Sequence, residues 1–104
     1  MSKPLIVLVP HQIGRAEARR RLQNGVAELK RKFGDKVTSV DEIWSGDHVD
    51  LTVRALGQSL RAALDVEQDH VKVEVQLPWM LAMLAEKAKG FIGREGQLLL
   101  GRKK

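Results

Sequence analysis

Residues 48–77 decide the fold, because they contain three successive runs with the period of a β-strand: HVDLTVRA at 48–55, SLRAALDV at 59–66 and VKVEVQL at 71–77. In each run apolar and polar residues alternate, which places every second side chain on one side of an extended chain. The segments between the runs, LGQ at 56–58 and EQD at 67–69, have turn character. The stretch therefore predicts an antiparallel meander with one apolar face and one solvent-facing side.

The segments on either side of this meander add two strands and two helices. Residues 5–9 form an apolar run between prolines, typical of a strand that is covered on both faces or at least well packed. A helical period predicts a helix at 14–33, an uneven alternation predicts a strand at 37–44, and Pro78 suits the start of a closing helix. The prediction is an α+β domain of order β-α-β-β-β-β-α, with a mostly antiparallel sheet and both helices packed on one face.

Length and composition limit the class of protein. A chain of 104 residues fits a single domain spanning 1–104, with the basic tail 101–104 expected to be disordered, and excludes two domains, a solenoid or a barrel enzyme. The absence of cysteine excludes disulfides and thiol chemistry and fits a reducing compartment. The apolar run at 5–9 is too short for a secretory signal or a membrane span, so a cytoplasmic protein is expected.

Positive charge is concentrated in the first predicted helix. The net charge is +5, and residues 15–33 hold seven basic and two acidic side chains, so this segment carries the whole excess. Its predicted basic face consists of Arg15, Arg19, Arg20, Lys30 and Arg31. Such a face either binds anionic groups or is simply solvated. Nucleic acid is the less favoured partner, because the chain has only four aromatic residues and shows no stacking platform.

The closing helix carries more apolar surface than one buried face requires. Next to the line Met80, Leu84 and Ala88 lie three further residues, Trp79, Ala82 and Met83. Gly90, Gly93 and Gly96 each cost about 1 kcal/mol in a helix interior, so the helix could break there. The surplus is either packed between the sheet and the first helix or forms a docking patch. In the second interpretation the surface-binding residues are Trp79, Met80 and Met83.

Catalytic and metal-binding patterns are weak. The three histidines stand at predicted element boundaries without ligand spacing: His11, His48 and His70. Asp47, His48 and Asp50 could support general-base chemistry, but turn and exposed-strand positions explain the same residues without catalysis and are the favoured interpretation. Ser45 and Ser59 lack the sequence of a nucleophile elbow, and residues 90–96 lack the ending of a phosphate-binding loop. The sequence predicts no enzyme, cofactor or metal.

Three motifs occur in order along nearly the whole chain: PHQIG at 10–14, WSGD at 44–47 and VKVEVQLPWML at 71–81. Together they resemble the polyhydroxyalkanoic acid system family, small bacterial proteins encoded near polyester synthesis and granule genes. The resemblance implies a link to polyhydroxyalkanoate storage and brings no catalytic residues with it. Combined with the apolar surplus of the closing helix and the charge of the first helix, this link predicts a non-enzymatic accessory or granule-associated protein. In this hypothesis the surface around Trp79 and Met83 meets the polymer or a granule coat protein, and the basic helix faces anionic groups.

Two alternatives stay open at this point. One is a nucleic-acid-binding module that uses the basic helix, motivated by the local charge of +5. The other is a carrier or hydrolase of small hydroxyacyl compounds, motivated only by the fold type. A homodimer that covers the solvent-facing side of the sheet is also open.

Overall fold

The architecture follows the predicted order of elements. The structure, a computed structural model, describes residues 4–32, 34–55, 57–77 and 79–100, without the side chains at 29, 32 and 79–81. The elements are β1 (Leu5–Pro10), α1 (Gly14–Lys32), β2 (Val37–Ser45), β3 (His48–Ala55), β4 (Gln58–Val66), β5 (His70–Gln76), a 3₁₀ segment (Trp79–Leu84) and α2 (Ala85–Leu100). The α+β class and the order β-α-β-β-β-β-α are confirmed. The predicted disordered tail 101–104 lies outside the described residues.

The strands form one antiparallel sheet of order β1-β5-β4-β3-β2 within the described residues. Leu64 of β4 pairs with Val49 of β3 on one side and with Val73 of β5 on the other. The three residues therefore lie side by side on the inner face, as the alternation predicted. These three residues are buried in one core cluster with Ala18 and Leu22 of α1 and with Leu100 of α2. Both helices therefore cover the same face of the sheet, as predicted.

Strand β1 differs from its prediction. It is an edge strand that pairs with β5 alone among the described strands. Leu5 and Val9 are buried beneath the helices, whereas Ile6 and Leu8 point to the opposite side and are exposed. The expected cover on both faces is wrong, because both helices pack on the inner face and no described element covers the outer one.

The uneven alternation of β2 has a local cause. Its pairing with β3 shifts register between Val37 and Ser39, so the apolar period is interrupted at the start of the strand. Beyond the shift, Val40 is buried and Trp44 packs against the core, while Ile43 points outward and is 68% exposed. The chain then turns sharply into β3 at Gly46, whose φ of 62° suits glycine.

The closing segment differs from its prediction at its start, where a regular helix was expected, and it decides the open question of a break at the three glycines. Residues Trp79–Leu84 form a 3₁₀ segment, and α2 then continues unbroken through Gly90, Gly93 and Gly96. Gly96 has a packing reason: a Cβ there would lie 2.9 Å from a methyl group of Val9. Close packing on β1 requires glycine at this position and offsets its cost in the helix.

Helix α2 is fixed mainly through its C-terminal half. Gly25 of α1 receives the side chain of Leu99, and the Arg21 guanidinium donates a hydrogen bond of 3.2 Å to the Leu99 carbonyl oxygen. The Gln97 amide donates to the Pro10 carbonyl oxygen at 3.0 Å. These contacts seat one side of α2 on β1 and α1, and they leave another side of the helix in solvent.

Candidate functional site

The solvent-facing side of the closing segment carries four large apolar side chains. Leu84, Phe91 and Leu98 recur every seven residues, close to two helical turns, and Met83 lies beside the first of them. Their exposed fractions are 87% for Met83, 44% for Leu84, 43% for Phe91 and 71% for Leu98. We call these four residues the apolar stripe. Met83 and Leu84 end the 3₁₀ segment, and Phe91 and Leu98 lie in α2, so the stripe spans both elements. Large exposed apolar surface is typical of interaction sites.

The stripe shares Met83 with the predicted docking patch. Met83 is exposed, and its assignment to a binding surface stays a prediction; the side chains of Trp79 and Met80 lie outside the described residues. Phe91 and Leu98 were missed, because their spacing also fits a buried helix face. The seven-residue recurrence from Leu84 was the available signal, since it runs along a different side of the helix from Leu100, which is fully buried.

None of the described helices is long and apolar enough to cross a membrane. In α2 the apolar stripe shares the helix with charged residues, including Lys87 and Arg94, and with the three glycines. The helix is therefore amphipathic on its exposed side, which suits contact with the surface of an apolar body.

Acidic neighbours neutralise much of the basic face of α1. Arg20 and Arg21 both donate to Glu17, and these bonds, Arg20 first, lower the pKa of that carboxyl to about 2. Arg31 pairs with Glu28. Arg15 approaches two carboxylates outside its own helix, at 3.4 Å for Asp47 and 3.8 Å for Glu67. Exposed pairs of this kind contribute little to stability, but they reduce the bare positive charge available to a polyanion.

The predicted basic residues fall into two groups along α1. Lys30 and Arg31 are exposed on its last turns, roughly 15 Å along the helix axis from Arg20. The other three line one shallow, open groove between α1 and the β2–β3 turn. The lining residues are Arg15, Ala16, Arg19, Arg20, Gln23 and Asp47.

Arg19 occupies a special position in this groove. Its guanidinium lies over the Trp44 ring, 5.1 Å from the ring centroid. The indole is itself fixed, because its Nε1–H donates to a carboxylate oxygen of Glu42 at 2.7 Å. The Nε–H of Arg19 is buried and has no acceptor among the described residues. The tryptophan thus positions a cation on the groove, and this cation has no acidic partner within the described ranges of the chain.

The outer face of the sheet carries the acid–imidazole cluster. His48 Nδ1 lies 2.6 Å from a carboxylate oxygen of Asp65, and its Nε2 lies 3.1 Å from one of Asp50. Hydrogen bonds to Asp65 and then Asp50 raise the pKa of the imidazole, since both carboxylates favour the imidazolium. Asp47, which the sequence grouped with this cluster, pairs with Arg15 instead. Asp65 was missed because only the pairing of β3 with β4 brings it beside His48.

The three histidines do not converge. His11 is buried, accepts the Ile13 N–H at Nδ1 and donates from Nε2 to the Glu67 carbonyl oxygen, which fastens β1 to the β4–β5 turn. His70 pairs with the neighbouring Asp69 at 2.8 Å. Across the described part of the chain, no group of three or more histidine, cysteine or acidic side chains is arranged to hold a metal ion.

The sequence, including its three motifs, matches one protein family over nearly its whole length. A family model described as "Putative polyhydroxyalkanoic acid system protein" matches residues 6–99. The chain belongs to this family. The match runs from β1 to the end of α2 and so includes both the groove and the apolar stripe. No curated protein and no solved structure matches the chain.

Proposed function

We propose that this protein is a non-enzymatic accessory protein of polyhydroxyalkanoate storage that lies on the granule and contacts the polymer through the apolar stripe. The observation that carries the proposal is the exposure of Met83, Leu84, Phe91 and Leu98 in a member of a polyhydroxyalkanoic acid system family. Complete burial of one such side chain contributes about 1.5–3 kcal/mol, so four of them together can drive association with an apolar body.

The position of α1 beside α2 supports an orientation in which both helices face the granule. Both helices lie on one face of the sheet, so the basic face of α1 and the stripe residues of α2, Phe91 and Leu98, belong to one layer. A surface with apolar residues beside lysine and arginine suits the boundary between an apolar body and water, where the cations contact anionic groups. The layer would therefore meet the granule, and the outer face of the sheet would point to solvent or to another protein.

The proposal gives the acid–imidazole cluster no part in the contact with the granule. His48, Asp50 and Asp65 lie on the outer face of the sheet, and both helices pack on the inner face.

Cosedimentation with purified polyester particles tests the proposal. The Met83→Ser, Leu98→Ser double variant is expected to lose most of the bound fraction, because it removes the two most exposed apolar side chains of the stripe. Ile43→Ser is the matched control, since Ile43 is 68% exposed but lies on the outer face of the sheet. Circular dichroism verifies that all three proteins are folded.

Equal binding by wild type, double variant and control would refute the role of the stripe. Binding to particles that carry native coat proteins, without binding to bare polymer, would identify a coat protein as the partner and contradict direct polymer contact. A salt series separates the nucleic-acid alternative, because contacts with several phosphates weaken steeply as salt rises and burial of the stripe does not.

A further inference from the structure

The groove between α1 and the β2–β3 turn is separate from the apolar stripe and has the composition of an anion site. Its lining includes Arg15, Arg19, Arg20 and Gln23, and among these arginines Arg19 has no acidic partner in the described part of the chain. We infer that this groove binds the carboxylate of a short hydroxyalkanoate, the acid unit from which the family's polyester is built. The inference rests on the proposed function for the identity of the acid, and on the groove itself for the carboxylate.

Arg19 provides the central contact. Stacking on Trp44 holds the guanidinium at a fixed place, so a ligand does not have to order a flexible side chain on binding. A planar guanidinium also presents paired N–H donors that match the two oxygens of a carboxylate. Its Nε–H is buried and has no acceptor among the described residues, so the terminal nitrogens of the guanidinium are the donors that a ligand in the groove would contact.

The rest of the lining fits an acid of small size. Asp47 is the acidic member, and Arg15 lies 3.4 Å from it, so its negative charge is countered within the groove. Arg20 is held through its Nε and one terminal nitrogen by Glu17, which leaves the other terminal nitrogen for a further acceptor. Gln23 can donate to a hydroxyl or carboxylate oxygen, and Ala16 offers a small apolar wall for an alkyl group.

Nuclear magnetic resonance titration of the full chain tests the inference with three probes: 3-hydroxybutyrate, its methyl ester and inorganic phosphate. We expect saturable shifts at the Arg19 Nε–H and at the side-chain amide of Gln23 with 3-hydroxybutyrate. The methyl ester, which has no carboxylate, is expected to cause none. Arg19→Gln should weaken binding roughly tenfold or more, as expected for loss of charge-assisted hydrogen bonds.

Arg31→Gln is the matched control, because Arg31 is an exposed, ion-paired arginine of the same helix outside the groove. It should leave the affinity unchanged. If Arg19→Gln does not fold, Arg19→Lys replaces it, since lysine keeps the charge but loses the planar, paired donors.

The inference is overturned by any of four results: no shift with 3-hydroxybutyrate, equal shifts with the ester, equal loss in the Arg31 variant, or phosphate binding as tightly as the acid. The titration contains no granules, so its failure would count against the groove alone. Unchanged cosedimentation of the Met83→Ser, Leu98→Ser variant would count against the proposed function alone.

Discussion

Helices α1 and α2 cover the same face of the sheet, but they differ in how many of their apolar side chains are buried. Helix α1 buries Ala18, Leu22 and Val26 and surrounds them with ion-paired charges. Helix α2, described over its whole length, buries only Leu100 and leaves Phe91 and Leu98 in solvent. These apolar residues of α1 are buried within the chain, whereas α2 carries apolar side chains that no described part of the chain covers.

The difference shows that apolar content alone does not identify a buried face. What separates the two helices is where the close contacts lie. Gly96 and Leu99 fix one side of α2 against β1 and α1, and the apolar stripe is on another side. Exposed apolar side chains such as these cost the folded state little free energy. Covering them with an apolar partner is favourable.

The same substitution on the two helices gives the largest expected contrast. Leu22→Ala removes a buried side chain that is 9% exposed, and it should lower the free energy of unfolding by about 2–5 kcal/mol. Leu98→Ala should change it by no more than about 0.5 kcal/mol, because Leu98 is already in solvent. Urea denaturation of both variants measures the contrast. Similar losses at both positions would show that the stripe is part of the core.

Two glycines of α2 test how the helix is seated. Gly96→Ala places a Cβ 2.9 Å from the buried, stiff side chain of Val9, and this overpacking should cost about 1–3 kcal/mol. Gly93→Ala meets nothing within 4 Å and should gain up to about 1 kcal/mol from helix propensity. Thermal unfolding compares the two. Stabilisation by alanine at both positions would contradict the close packing of α2 on β1.

Lowering the pH should reduce the free energy of unfolding through the ion pairs of Glu17 on α1, and this effect should be smaller than the two above. The pKa of Glu17 is lowered from 4.5 to about 2, so its pairing stabilises the folded state fully above pH 4.5, and this contribution is lost as the pH falls through about 2. The effect is small because the pairs are exposed and screened by solvent. Denaturation of wild type and Glu17→Gln should therefore differ above pH 4.5 and converge in strong acid. A difference that does not depend on pH would argue against the ion pairs.

Much of the fold could be predicted from the sequence because it depends on local periods. The alternation at Val49, Leu64 and Val73 identified the inner face of the meander, and the helical period of α1 identified Ala18 and Leu22 as buried. The order of the strands and the edge position of β1 depend on contacts between distant segments. No local pattern reveals that Ile6 and Leu8 lack a cover, since an apolar run looks the same in an edge strand and a central one.

The candidate site was predictable only in outline. The surplus of apolar residues on the closing segment and the cluster of arginines were visible in the sequence. Which residues form the stripe depends on how Gly96 seats α2, and the groove depends on Trp44 meeting Arg19 from another element. Both are tertiary contacts. The seven-residue recurrence places Phe91 and Leu98 on a common side of the helix, but only the fold shows that this side is exposed.

Attachment of an environment-sensitive fluorophore to single cysteines tests most directly whether the stripe meets the granule. The chain has no cysteine, so Leu98→Cys on α2 and Ile43→Cys on the outer face of the sheet each give one labelling site at a similarly exposed position. On addition of polyester particles, the emission at position 98 should shift to the blue as the label leaves water, and the emission at position 43 should not change. A shift at position 43 alone, or equal shifts at both, would contradict the account.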